Sequence, residues 1–129
     1  MVFLEGTLSG GKKWASGTAT LKYNMEGFNL ASGTSLHTYC VEVTLSFIPS
    51  TIIVNSQNSS DTYEYTSVYN NQGNLYGTKN IKFSKYYKDS SYGETYLFKC
   101  DSKIELGNNV YRIPLATNDA KNIKWIAYE

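Results

Sequence analysis

The stretch that most restricts the fold is Tyr39 to Val54, YCVEVTLSFIPSTIIV. Tyr39, Val41, Val43, Leu45 and Phe47 are apolar, and Cys40, Glu42, Thr44 and Ser46 between them are small or polar. A period of two sends alternate side chains to opposite faces of a strand. Ile48-Pro49-Ser50 breaks that ladder, because proline donates no N–H and restricts the residue before it. Thr51-Ile52-Ile53-Val54 then resumes as a short β-branched run. The unit reads as a half-buried strand, a proline corner and a buried strand, against which the remaining segments must pack.

Further strands flank it. Ala15, Gly17, Ala19, Leu21 and Tyr23 alternate with Ser16, Thr18, Thr20 and Lys22, and Gly17 marks a bulge or a close backbone approach. Asp61 to Tyr69 places Tyr63, Tyr65 and Tyr69 opposite Glu64, Thr66 and Val68. Ile81, Phe83, Lys85 and Tyr87 alternate with Lys82, Ser84 and Tyr86. Tyr92 to Cys100 also alternates, with its buried face undecided between Glu94-Tyr96-Phe98 and Thr95-Leu97-Lys99. Ile104 to Leu106 is a stub, Gly107-Asn108-Asn109 a tight turn, and Val110 to Ile113 a strand that Pro114 ends or confines to an edge. Ile123 to Tyr128 closes the chain. Asn24–Ser35, Asn55–Ser60 and Asn70–Asn74 read as loops or turns, Thr117–Asn122 as a polar segment able to form one helical turn, and Val2-Phe3-Leu4 as a strand or docking arm.

No helical period longer than about two turns survives, and eight to ten short strands imply an all-β chain. Without helices for parallel crossovers the sheets must be mainly antiparallel. Residues 1–129 are therefore expected to form one β-sandwich domain of two antiparallel sheets with jelly-roll or Greek-key connections. The length is close to the commonest single-domain size and suffices for one core.

The formal charge of +1 gives no reason to expect nucleic acid or an acidic membrane as partner. The first residues lack the basic and apolar regions of a secretory signal, and no window has the ~18 apolar residues of a membrane helix. A soluble protein is the expectation. Cys40 and Cys100 permit one bridge, but a chain of this size does not require it, and two free thiols are expected.

Most catalytic devices fail for want of residues. His37 is the only histidine, and its spacing from the two cysteines matches no zinc pattern. There is no Gly-x-Ser-x-Gly elbow, phosphate loop or calcium loop. Glu64, Glu94 and Glu105 lie on predicted strands and two of them could serve as a glycosidase pair, but such a pair usually sits in a deep cleft that a sandwich of 129 residues can hardly build. The expectation is a non-catalytic protein with no cofactor and no metal.

The compositional anomaly is 12 tyrosines, against five phenylalanines and two tryptophans. Tyr63, Tyr65 and Tyr69 share a strand face, Tyr86, Tyr87 and Tyr92 flank the next hairpin, and Tyr76 lies beside Asn70, Asn71, Gln72 and Asn74. Aromatic faces stack on the C–H faces of sugars while amides bond hydroxyls. Tyr63, Tyr65, Tyr69, Asn71, Tyr76, Tyr86 and Tyr92 are thus the candidate ligand-binding residues. The competing readings are cross-strand and core packing, favoured for any single ring, and a subunit interface.

Three stretches carry a resemblance. LSFIPSTIIV (Leu45–Val54), the closing IKWIAYE and KKWASGTAT (Lys12–Thr20) resemble segments of small β-sandwich modules in phage and prophage tail proteins, in the same order and over about a quarter of the chain. The resemblance implies a virion component of a tailed phage, made in the host cytoplasm without a signal peptide. It also implies likeness to carbohydrate-binding modules, a place in a tail fibre or baseplate, and assembly as a homo-oligomer with other tail proteins. The matching positions look structural, so no functional residue carries over. In those modules the sandwich usually ends a long fibre, whereas here Met1 begins almost on it, which raises the prospect of an accessory or structural tail protein. The expected function is recognition of cell-wall glycan, with protein–protein contact in the tail as the alternative. Neither nucleic acid nor membrane is expected as a partner.

Overall fold

The computed structural model describes residues 3–22, 26–71, 79–90 and 93–129. Eleven strands form among them: β1 (Phe3–Thr7), β2 (Lys13–Ala19), β3 (Glu26–Asn29), β4 (Ser35–Thr44), β5 (Thr51–Gln57), β6 (Tyr63–Asn70), β7 (Asn80–Tyr87), β8 (Gly93–Lys99), β9 (Glu105–Gly107), β10 (Val110–Leu115) and β11 (Lys121–Tyr128). They make a seven-stranded sheet, β1-β2-β11-β5-β6-β7-β8, and a four-stranded sheet, β3-β4-β10-β9. Every pairing between neighbouring strands is antiparallel. The protein is an all-β sandwich, and among the described residues no helix is long and apolar enough to cross a membrane.

The Phe47–Pro49 bend carries the chain from one sheet to the other. The Leu45 N–H donates to the Asn109 carbonyl at 2.9 Å, beside β10 of the smaller sheet. Five residues later the Ser50 N–H donates to the Tyr128 carbonyl at 2.7 Å, on β11 of the larger one. Leu45, Phe47 and Pro49 are buried and Ser46 and Ile48 exposed, so alternation persists through the corner. The core lies between the sheets, with Ile52, Val54, Ile81, Phe83 and Phe98 from the larger meeting Val41, Val43 and Ile113 from the smaller, all fully buried. The Ser67 hydroxyl crosses the gap to donate to the Pro114 carbonyl at 3.2 Å.

Gly17 marks a close approach, since a Cβ there would come within 2.9 Å of both Phe3 Cβ and Trp125 Cζ2. The Phe3 and Trp125 rings pack across that gap, 6.2 Å between centroids. At the far edge of the sheet, the Ala31 N–H donates to the Leu97 carbonyl at 2.9 Å and Leu30 bridges Phe98, which covers part of β8. The inward face of β8 is Glu94, Tyr96 and Phe98, set by their register opposite Lys85, Phe83 and Ile81.

Several expectations are corrected. Part of the Asn24–Ser35 loop is β3, whose single fully buried side chain, Phe28, packs edge-on against Phe98. The Asn55–Ser60 turn begins later, because β5 runs to Gln57 in register with β6. Thr117–Asn122 forms no helical turn; the Thr117 hydroxyl accepts from the Asp119 N–H at 3.0 Å, and β11 starts at Lys121. Pro114 does not end β10, which runs to Leu115. β9 pairs with β10 only as far as Tyr111, so the missing N–H at Pro114 costs no ladder bond on that side. In β4 both Cys40 and Val41 are buried, so strict alternation of an apolar and a polar face fails there. Cys40 and Cys100 are free thiols. The predicted extended piece at Leu75-Tyr76 lies outside the described residues.

Candidate functional site

Strand register maps the outer face of the larger sheet side chain by side chain. One row runs Lys121, Gln57, Glu64, Tyr86, Gly93 from β11 to β8. The next runs Thr18, Lys124, Asn55, Thr66, Ser84, Thr95. A third is Ser16, Ile126, Ile53, Val68, Lys82, Leu97, and a fourth Trp14, Tyr128, Thr51, Asn70, Asn80, Lys99. The first two rows are amides, hydroxyls and charge, the third is mostly aliphatic, and the fourth mixes Trp14 and Tyr128 with Thr51, Asn70, Asn80 and Lys99. Among the described residues, the strands of the smaller sheet pack on the opposite, inward face.

The first two rows are hollowed. A shallow depression of ≈ 570 Å³ is lined by Asn55, Gln57, Glu64, Thr66, Asn122 and Lys124, with contributions from Ser56 and Tyr65. It forms where β11 parts from β5: the register slips between Lys121 and Lys124, and Asn122 takes a left-handed backbone, φ 53°. Asparagine tolerates that conformation better than most residues. The Thr66 hydroxyl donates to Asn55 Oδ1 at 3.0 Å, which leaves the Asn55 amide N–H groups directed elsewhere.

Tyr86 stands beside this depression, directly across from Glu64. It is the most exposed of the nine described tyrosines, at 47%. Its ring lies on Gly93, where a Cβ would come within 2.8 Å of Tyr86 Cδ1. A glycine opposite an aromatic on a neighbouring strand lets the ring settle on the backbone, which orients it without burying it.

The other sequence candidates fall elsewhere. Tyr65 and Tyr69 face the core, 3% and 1% exposed, so neither ring is offered to a ligand. The Tyr65 ring stacks on Phe83 and its hydroxyl accepts from Thr117 at 3.3 Å. The Tyr69 hydroxyl donates to Glu105 at 3.3 Å, and burial raises its pKa further from the physiological range. Tyr63 lies on the inward side at the sheet end, edge-on to Tyr87 at 4.6 Å, with Lys85 Nζ 4.2 Å from its ring centre. The chain's own lysine thus occupies that ring face. The Asn71 amide donates to the Pro49 carbonyl at 2.5 Å and braces the bend. Tyr76 and Tyr92 lie outside the described residues. Of the five candidates among the described residues, Tyr86 is the one on the open face.

The three glutamates considered for acid–base work are dispersed. Glu64 is on the outer face, Glu94 faces inward opposite Lys85, and Glu105 is on β9, bonded to Tyr69 and 3.6 Å from Lys79. Among the described residues no three His, Cys, Asp or Glu side chains group as metal ligands. Burial pushes the Cys40 thiol up to about 11 and that of Cys100 up to about 12, the opposite of an activated nucleophile.

Asn55, Gln57, Thr66, Asn122 and Lys124 were not among the sequence candidates. Asn55 and Gln57 read as a turn, Asn122 as the end of a polar segment able to form one helical turn, and Thr66 and Lys124 as the solvated half of an alternating strand. The available signal was the polar half of β6 and β11, but only the register shows that the two halves meet. The chain matches no family model, no curated protein and no solved structure.

Proposed function

We propose that this protein is a non-catalytic carbohydrate-recognition module of a phage or prophage tail, and that it binds host surface glycan on the outer face of its seven-stranded sheet. The observation that carries the reading is the exposed Tyr86 ring, laid on Gly93 beside a depression lined by Asn55, Gln57, Glu64, Thr66, Asn122 and Lys124. A pyranose presents an apolar C–H face and a rim of hydroxyls. The ring serves the first, and the amides and hydroxyls serve the second. An open, shallow surface suits an extended chain better than a small enclosed molecule. Affinity per site would be low and would be multiplied by oligomerisation. The tail assignment rests on the ordered resemblance of Lys12–Thr20, Leu45–Val54 and Ile123–Glu129.

The test is retention of the purified protein on host cell walls, compared with Tyr86→Ala. The ring is exposed, so the substitution should leave the melting temperature within about 2 °C, the effect of a surface change under ~0.5 kcal/mol. It should lower retention at least about tenfold, the loss of ~1.4 kcal/mol. Absence of retention at high micromolar concentration would argue strongly against glycan recognition.

One observation favours the structural alternative. At the open edge of the larger sheet Phe3 is 40% exposed, Leu4 66% and Leu8 46%, and Ile48 is 69% exposed on the segment that Ser46 ties to Glu5 at 2.9 Å. An edge strand bearing apolar side chains invites a neighbouring subunit. Light scattering tests it: a strict monomer at high concentration would weaken this second reading.

A further inference from the structure

The charge of the outer face differs from that of the whole molecule. Lys82, Lys99, Lys121 and Lys124 all project from it and are exposed, and Glu64 is the one acid on the mapped rows. Four cations against one anion leave the face at +3, while the chain as a whole is +1, so the remainder carries −2. The residues outside the description include no charged side chain, so this asymmetry does not depend on them. The ion pairs among the described residues use Lys22, Lys79, Lys88 and Arg112, and none of the four outer-face lysines. None of the four is ion-paired; Lys121 is near enough to Asp61 to help hold that carboxyl below its usual range, but Asp61 is itself paired with Lys88.

Their placement has a pattern. Lys121 and Lys124 stand on β11, and Lys82 and Lys99 on β7 and β8. Lys124 and Lys82 are three strand spacings apart and one row out of step. At ~4.8 Å between strands and ~3.4 Å per residue, that is about 14 Å across the sheet and about 7 Å along it. The amide-lined depression and the aliphatic Ile53 and Val68 lie between the two lysine groups. A small ion would meet one group only. A chain with negative charges at intervals and neutral hydroxyl-bearing units between them would meet both, and the second contact would form at high effective concentration.

We infer that the ligand of this face is an acidic polysaccharide, bearing carboxylate or phosphate, lying across β11, β5, β6 and β7. The inference rests on the glycan reading above and narrows its ligand class. A polyanion is steered towards such a face, and its binding weakens as salt rises.

The test measures affinity of the full chain for four immobilised polymers: polygalacturonate (carboxylate), a yeast phosphomannan (phosphate), neutral dextran and duplex DNA. At low salt we expect one or both acidic glycans to bind at least tenfold more tightly than dextran and than DNA, and the more tightly bound one names the anion. Raising salt from 50 to 300 mM should abolish most of that preference. K82Q/K124Q should lower acidic-glycan binding about tenfold or more, E64Q should raise it a few fold, and K103Q, on the turn before β9 of the smaller sheet, should leave it unchanged. Circular dichroism should show all variants folded. Equal binding of dextran and acidic glycans, unmoved by K82Q/K124Q, would overturn the charge inference and leave glycan recognition standing. Binding to none of the three glycans would overturn both. DNA bound as tightly as the acidic glycans would overturn the inference in favour of a non-specific polyanion surface.

Discussion

Tyrosine does at least three different things in this chain, and the differences follow from what each ring meets. Tyr69 takes an apolar ring into the core and settles its one polar atom on Glu105. Tyr63 shares its π face with Lys85, and Tyr86 keeps its ring in solvent over Gly93. The sequence marks all three as strand residues of one type. It does not mark which neighbours lie across the ladder, and that decides whether a ring packs or is offered. Tyr69→Phe removes the bond to Glu105 but leaves that carboxylate partly exposed and near Lys79. Its cost should be about 1 kcal/mol by urea unfolding. Tyr69→Ala should cost ~3–5 kcal/mol, because it leaves a cavity between the sheets. Equal losses for the two substitutions would mean that the hydroxyl, and not the ring, holds this position.

Long periodic strands are legible as elements, and short ones are not. Tyr39–Val54 shows both the strand and the corner, and the corner does pass the chain between sheets. β3 escapes detection because EGFN contributes one buried ring, Phe28, too little to show a period. The site escapes for a related reason: its polar side chains come from β5, β6 and β11, and β11 is distant in sequence from the other two. Turns are read better, since their backbone demands are local. Asn108 and Asn109 join β9 to β10 with φ of 55° and 60°, both left-handed. A two-residue hairpin of this kind prefers Asn-Gly, because glycine adopts positive φ without steric cost. Asn109→Gly should therefore be neutral to stabilising, up to about 1 kcal/mol, and Asn109→Val should destabilise by roughly 1–2 kcal/mol. Thermal denaturation of the pair checks this, and a more stable valine variant would contradict the turn assignment.

At the scale of the whole molecule, acid and base should each limit stability through identifiable groups. Lys22, then Arg112, hydrogen-bonds Glu42 and holds its carboxyl below the usual range. A depressed folded pKa gives stability that is present above the unfolded value, about 4.3, and is lost as pH falls further. Burial does the reverse for the thiols, raising Cys40 to about 11 and Cys100 to about 12. Their contribution is whole below the unfolded thiol value, about 8.5, and is lost as pH rises beyond it. The melting temperature should be level from about pH 5 to 8 and fall on both sides, with Glu42→Gln flattening the acid limb. An acid limb unchanged in that variant would exclude Glu42 as its source. Charge is also where composition misleads most: a net +1 conceals a face of +3, since the strand order that gathers Lys82, Lys99, Lys121 and Lys124 is invisible in a count. The account as a whole depends on that face being the one that meets ligand. Backbone amide shifts of the ¹⁵N-labelled protein, followed as soluble fragments of host cell-wall glycan are added, test it most directly. Shifts should concentrate at Asn55–Gln57, Glu64–Thr66, Ser84–Tyr86 and Asn122–Lys124, and shifts confined to β3, β4 and β10, or none at saturating glycan, would contradict it.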